Sequence, residues 1–138
     1  MKKISENITK LDKYTISISR KKRHHIKGDI YCIDVPIYRC EVHIMFNKST
    51  VELEKLWDRN YDYAGQTRNY LELNRDVLIT FPTKNPSLST VAHEILHACQ
   101  MIMKSIGHKT DTQDADEPIA YLHTYLFEQY LKIKKIKL

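Results

Sequence analysis

Pro82 and Pro86 divide this chain into two stretches whose apolar residues recur with different periods. Ahead of the prolines apolar and polar residues tend to alternate, and behind them apolar residues return every three or four positions. A period of two lines one face of a strand, whereas a period near 3.6 lines one face of a helix. Strands first and helices last predict an α+β domain, not an alternating α/β unit.

Residues 14–19, 29–35 and 37–46 read as strands, with a bend or sheet edge at Pro36, which lacks a backbone donor. Ser49, Thr50, Val51 and Glu52 have capping-box spacing and predict a short helix through about Trp57. After a turn-rich loop containing Gly65, residues 69–73 and 76–81 read as a hairpin. A helix is expected from about Ser87 to Ile106, closed by Gly107. A last helix is expected from about Glu117, with Pro118 in its first turn. The predicted architecture is an antiparallel-leaning mixed sheet with a short helix, packed against two late helices. At 138 residues, one domain over 1–138 is expected, with a basic tail from about residue 132.

The formal net charge is +5, concentrated in residues 20–25 and 132–137. Such runs can meet nucleic-acid phosphates, but they read more simply as a solvated turn and a solvated terminus. No zinc-finger spacing, aromatic RNA-binding signature or Gly-rich phosphate loop accompanies them. The N-terminus runs from Lys2 and Lys3 into polar residues without an apolar signal core. No stretch approaches the roughly 18–20 apolar residues of a membrane span. An intracellular, cytoplasmic chain without membrane contact is the expectation, and the cysteines Cys32, Cys40 and Cys99 then read as reduced thiols. Cys32 and Cys40 flank Pro36, but two cysteines alone make an incomplete metal site, so they read as small strand residues.

The chemistry falls on the late helices. His93, Glu94, Ile95, Leu96 and His97 form an HExxH sequence, which places two imidazoles about 6 Å apart on one helical face. Both can meet one metal ion, with Glu94 beside it as a base. The extension to a third histidine seen in HExxHxxGxxH is missing, because Gln100 and Met103 stand at the diagnostic positions. Other third ligands are His108, Asp111, Asp114, Asp116, Glu117 and His123. Glu117 is preferred because it opens an apolar helix able to pack against the first, and Asp116 is its main rival.

The run from Leu88 to Ala98, then Gly107, then the run from Asp116 to Leu122, resembles a group of small phage-encoded zinc metallopeptidases. The pattern is similar in outline to the gluzincin type of zincin, and the resemblance extends over about 28–131. It implies a minimal zincin fold with one Zn2+ per chain held by His93, His97 and Glu117. Glu94 would then be the general base that takes a proton from zinc-bound water during hydrolysis of a peptide or protein substrate. Gluzincins often carry an acid four residues after the ligand glutamate, and here that position is Tyr121. Tyr121, His123 and Tyr125 are the candidates for stabilising an oxyanion or orienting a ligand. An exposed sheet edge at 77–81 is the expected track for an extended substrate. The alternatives are a non-catalytic zinc-stabilised binding module, such as a virion component or host-protein adaptor, and a basic nucleic-acid-associated protein. Oligomeric state is not legible.

Overall fold

The computed structural model describes residues 1–19, 22–47, 65–68, 76–107 and 116–136. Among the described residues, six strands and two α-helices form the frame: β1 (Lys2–Ser5), β2 (Ile8–Ser19), β3 (Lys22–Val35), β4 (Cys40–Phe46), β5 (Gln66–Arg68), β6 (Val77–Thr80), α1 (Leu88–Ser105) and α2 (Asp116–Ile133). The strands make one sheet in the order β1-β2-β3-β4-β6-β5. Among these strands the β4–β6 pairing is parallel and the other four are antiparallel. The fold is therefore α+β around a mixed sheet, in the expected strand-then-helix order.

Local chemistry accounts for the joints. Pro36 opens a 3-10 turn over Pro36–Tyr38, and Arg39 takes a left-handed conformation (φ 51°) before β4 begins. The chain thus leaves the ladder at Pro36, which has no N–H to donate, and reverses through the turn. Ser87 caps α1, its side chain accepting a hydrogen bond from the Thr90 backbone N–H at 3.2 Å. At the other end Gly107 adopts φ 78° and its N–H reaches the Lys104 carbonyl at 3.0 Å. That left-handed closure is easiest for glycine.

Alternation along the strands divides the sheet into two faces. Ile33, Val35, Cys40, Val42, Ile44, Phe46, Val77 and Ile79 face the helices and join Val91, Ile95, Ala98, Ile102, Leu122, Leu126 and Tyr130 in the main core. Phe46 and Phe81 stack at 5.7 Å, and Tyr130 of α2 closes on Phe46 at 6.0 Å. Ile30, Met45, Leu78 and Thr80 point to the opposite face and are also buried. Cys32 and Cys40 lie on opposite faces, because Cys32 pairs with His43 whereas Cys40 pairs with Val35.

Several sequence expectations change. Residues 77–81 are not an outer edge: β6 sits between β4 and β5, and β5 is the last of the described strands at that side. Gln66 and Thr67, next to Gly65 in the expected loop, belong to that strand, whose three residues are too short to show an alternating pattern. The N-terminal strand β1 was hidden by its charged residues. Lys22 to His25 belong to β3 instead of a turn. The basic tail is partly docked, with the Lys134 ammonium 3.8 Å from the Phe46 ring centroid. The helix expected at 49–57 and the first hairpin arm at 69–73 lie outside the described residues. No described helix is long and apolar enough to cross a membrane.

Replacing Ser87 with Ala removes the cap that starts α1, and is expected to destabilise the fold by about 1 kcal/mol. A urea titration of Ser87→Ala against Ser87→Asp, which retains an accepting oxygen, checks this.

Candidate metal centre

α1 buries one stripe made of Val91, Glu94, Ile95, Ala98, Cys99, Ile102 and Met103. Glu94 lies inside that stripe and is only 6% exposed, whereas the His93 side chain is 68% exposed. The HExxH sequence therefore straddles the boundary between core and solvent. It opens onto a cleft of about 420 Å³ lined by Gly65, Gln66, Thr67, His93, Glu94, His97 and Met101.

The His93 and His97 Nε2 atoms lie 3.0 Å apart. Two zinc–nitrogen bonds of about 2.0–2.1 Å at a tetrahedral angle span about 3.3–3.4 Å, so the pair needs only a slight opening to hold an ion. Without one, a single proton can be shared as an N–H···N hydrogen bond, and protonating both nitrogens would set two N–H groups against each other. A cation between two neutral imidazoles suits this geometry. The donor atoms of His93, Glu94 and His97 all lie within 4.8 Å of one another, as a group able to hold a metal requires.

Glu94 is held from the sheet side. Thr67 Oγ1 lies 3.0 Å from both Glu94 Oε1 and the Glu94 carbonyl oxygen. That leaves Oε2 toward the histidines, 3.9 Å from His93 Nε2. A buried carboxylate is costly unless it is hydrogen-bonded or near positive charge. Thr67 meets part of that need, and a cation held by the histidine pair would meet the rest. Gly65 makes the approach feasible: a Cβ there would stand 2.9 Å from Glu94 Cγ and 3.0 Å from the Phe81 ring.

The residues expected on α2 are distributed differently. Glu117 is exposed and lies outside the donor group formed by His93, Glu94 and His97. Helical periodicity puts Glu117 in line with Tyr121, Thr124 and Glu128, all exposed. Position 116 instead aligns with Ile119, His123 and Phe127, which are half-buried. His123 Nε2 lies 3.0 Å from the Ala92 carbonyl oxygen, so its ring braces α2 against the turn that carries His93. Tyr121 is 72% exposed, and with Tyr125 it lines a separate apolar cavity beside Pro36 and Ile37. The Tyr125 hydroxyl donates to the Asp34 carbonyl at 2.5 Å. Neither tyrosine nor His123 is among the residues lining the histidine cleft. His108, Asp111 and Asp114 fall outside the described residues.

Thr67 and Gly65 were missed by sequence reasoning. Gly65 stood out as a turn residue, but nothing local links either residue to a glutamate on a distant helix.

Two substitutions test this support. Thr67→Val retains the shape while removing the donor to a buried carboxylate, and is expected to destabilise the chain by about 1–3 kcal/mol. Gly65→Ala forces Glu94 or Phe81 aside, at a similar cost of about 1–3 kcal/mol. Denaturant unfolding measures both.

No family model, curated protein or solved structure matches this chain. The geometry of the cleft is what carries the functional argument.

Proposed function

We propose that the chain is a zinc-dependent peptide hydrolase of minimal zincin type. The observation that carries this reading is the convergence of His93 and His97 Nε2 at 3.0 Å beside a buried, anchored Glu94. A purely structural zinc site has no use for a carboxylate held next to its ligands with one oxygen turned toward them. Two imidazoles and a carboxylate are a donor set that zinc favours.

His93 and His97 would hold the ion, and the third ligand is proposed to come from the first turn of α2. Asp116 and Glu117 are the two candidates on that turn, and position 116 shares the helical row of His123, which already contacts α1 at Ala92. The metal supplies Lewis acidity, which acidifies bound water and polarises a substrate carbonyl.

The chain's own residues supply the rest. Thr67 fixes Glu94 through Oε1, leaving Oε2 to accept the proton of the attacking water. The same carboxyl then returns that proton to the leaving amine, so the carboxylate is regenerated after each cycle. Strand β5, outermost of the described strands on that side, contributes Gln66 and Thr67 to the cleft wall. An extended peptide pairing along β5 would run past the histidines with its backbone hydrogen bonds satisfied.

Glu94→Gln is expected to keep its zinc while peptide turnover falls about 10²–10⁴-fold, the usual contribution of a positioned general base. Metal content by mass spectrometry and cleavage of a peptide library, run together on wild type and variant, decide this. A zinc-loaded wild type that cleaves no peptide would overturn the hydrolase reading. Asp116→Ala is expected to lose zinc under dialysis that leaves Glu117→Ala loaded. The reverse pattern would restore Glu117 as the ligand.

A further inference from the structure

A second group of donors lies on the sheet face turned away from the helices. Cys32 on β3 and His43 on β4 are directly paired, and Glu41 is two residues from His43 on the same face. The Cys32 thiol donates to Glu41 Oε2 at 3.0 Å, and His43 Nε2 lies 2.9 Å from the same oxygen. These three donor atoms lie within 4.8 Å of one another. Tyr14 of β2 brings its hydroxyl within 2.6 Å of His43 Nδ1, fixing the imidazole from behind. His43 is 5% exposed, while Glu41 is open to solvent and gives an ion a way in.

Two simpler readings account for less. A cysteine nucleophile needs a base facing the thiol and a lowered pKa. Here the thiol donates to a carboxylate, whose negative charge disfavours a free thiolate beside it. A plain strand-to-strand hydrogen-bond cluster leaves unexplained why thiol and imidazole converge on one oxygen. It also leaves unexplained why the ring is oriented from its other nitrogen, an arrangement typical of metal-ligating histidines.

We propose that Cys32, Glu41 and His43 form a second zinc site, separated from the HExxH cleft by the sheet, with Tyr14 as the residue that positions His43. Sulfur, nitrogen and oxygen donors in this combination suit zinc better than calcium or magnesium, which prefer oxygen alone. With Zn–S near 2.3 Å and Zn–N and Zn–O near 2.0–2.1 Å, the donors need to separate from hydrogen-bond contact by only about half an ångström. Starting from neutral His43 with its proton on Nε2, binding ionises the Cys32 thiol and releases that proton to solvent. The imidazole proton moves to Nδ1 and is donated to the Tyr14 oxygen. One proton leaves per ion bound, with no change in oxidation state. The ion would join β3 to β4 across the Pro36–Tyr38 turn.

Cobalt(II) replaces zinc as a coloured probe, and only a thiolate ligand produces a sulfur-to-cobalt charge-transfer band. The full chain, stripped of metal and kept reduced, is titrated with Co2+ as wild type, as Cys32→Ser and as Cys32→Ala. The wild type is expected to show the band saturating within two equivalents, since the cleft also takes up metal, with both Cys32 variants lacking it. The band is expected to persist in His93→Ala with His97→Ala, so failure of the cleft and failure of this site are distinguishable. Tyr14→Phe should retain the band with about 10–100-fold weaker affinity. Cys40 and Cys99 are buried in the core and do not reach the cluster. Circular dichroism establishes that each variant is folded. Absence of a band in folded wild type, or a band surviving in either Cys32 variant, would overturn the proposal.

Discussion

The hydrogen bond from Thr67 to Glu94 holds the candidate centre in register. It ties β5 to the middle of α1 through both the carboxylate and the carbonyl of one residue. An ionisable group in an apolar stripe is tolerable only with such a partner. Once the partner is in place, the rest follows from helix geometry. Glu94 sits in the buried stripe, His93 and His97 emerge at its margin, and the cleft forms between them and β5. The close approach also explains the residue at position 65, where any side chain would collide with Glu94.

The sheet works as a partition. Because strand side chains alternate, residues one apart along β4 serve opposite faces. Val42 and Ile44 support α1 and α2, while Glu41 and His43 meet Cys32 and Tyr14 on the other side. The two donor groups are chemically different as well. The helical group is imidazole and carboxylate beside an open cleft, and the sheet group includes a thiol and a deeply buried ring. The former opens onto solvent, whereas the latter lies between two paired strands.

Much of the frame was legible because it depends on nearest-neighbour chemistry. The helix start near Ser87, the Gly107 closure and the bend at Pro36 each follow from what one residue's backbone or side chain permits, and each stands where the residue pattern put it. The assignment of 77–81 to an exposed edge did not survive. A four-residue apolar strand looks the same at an edge and in the interior, and only its partners distinguish the two. The cysteines show the same limit. Cys32 and Cys40 are related in sequence through Pro36, but pairing register sends them to opposite faces and gives Cys32 a histidine and a glutamate as neighbours.

The sequence by itself determined the order of strands and helices and the placement of two histidines and a glutamate on one helix. These are short-range consequences of hydrophobic period and residue spacing. Tertiary structure alone decided that Glu94 is anchored by Thr67 and that Gly65 is required there. It also decided that Glu117 falls on an exposed row of α2 and that Cys32, Glu41 and His43 meet. Those contacts join residues far apart along the chain, and pairing register and helix rotation, which set them, depend on the packing of the whole core.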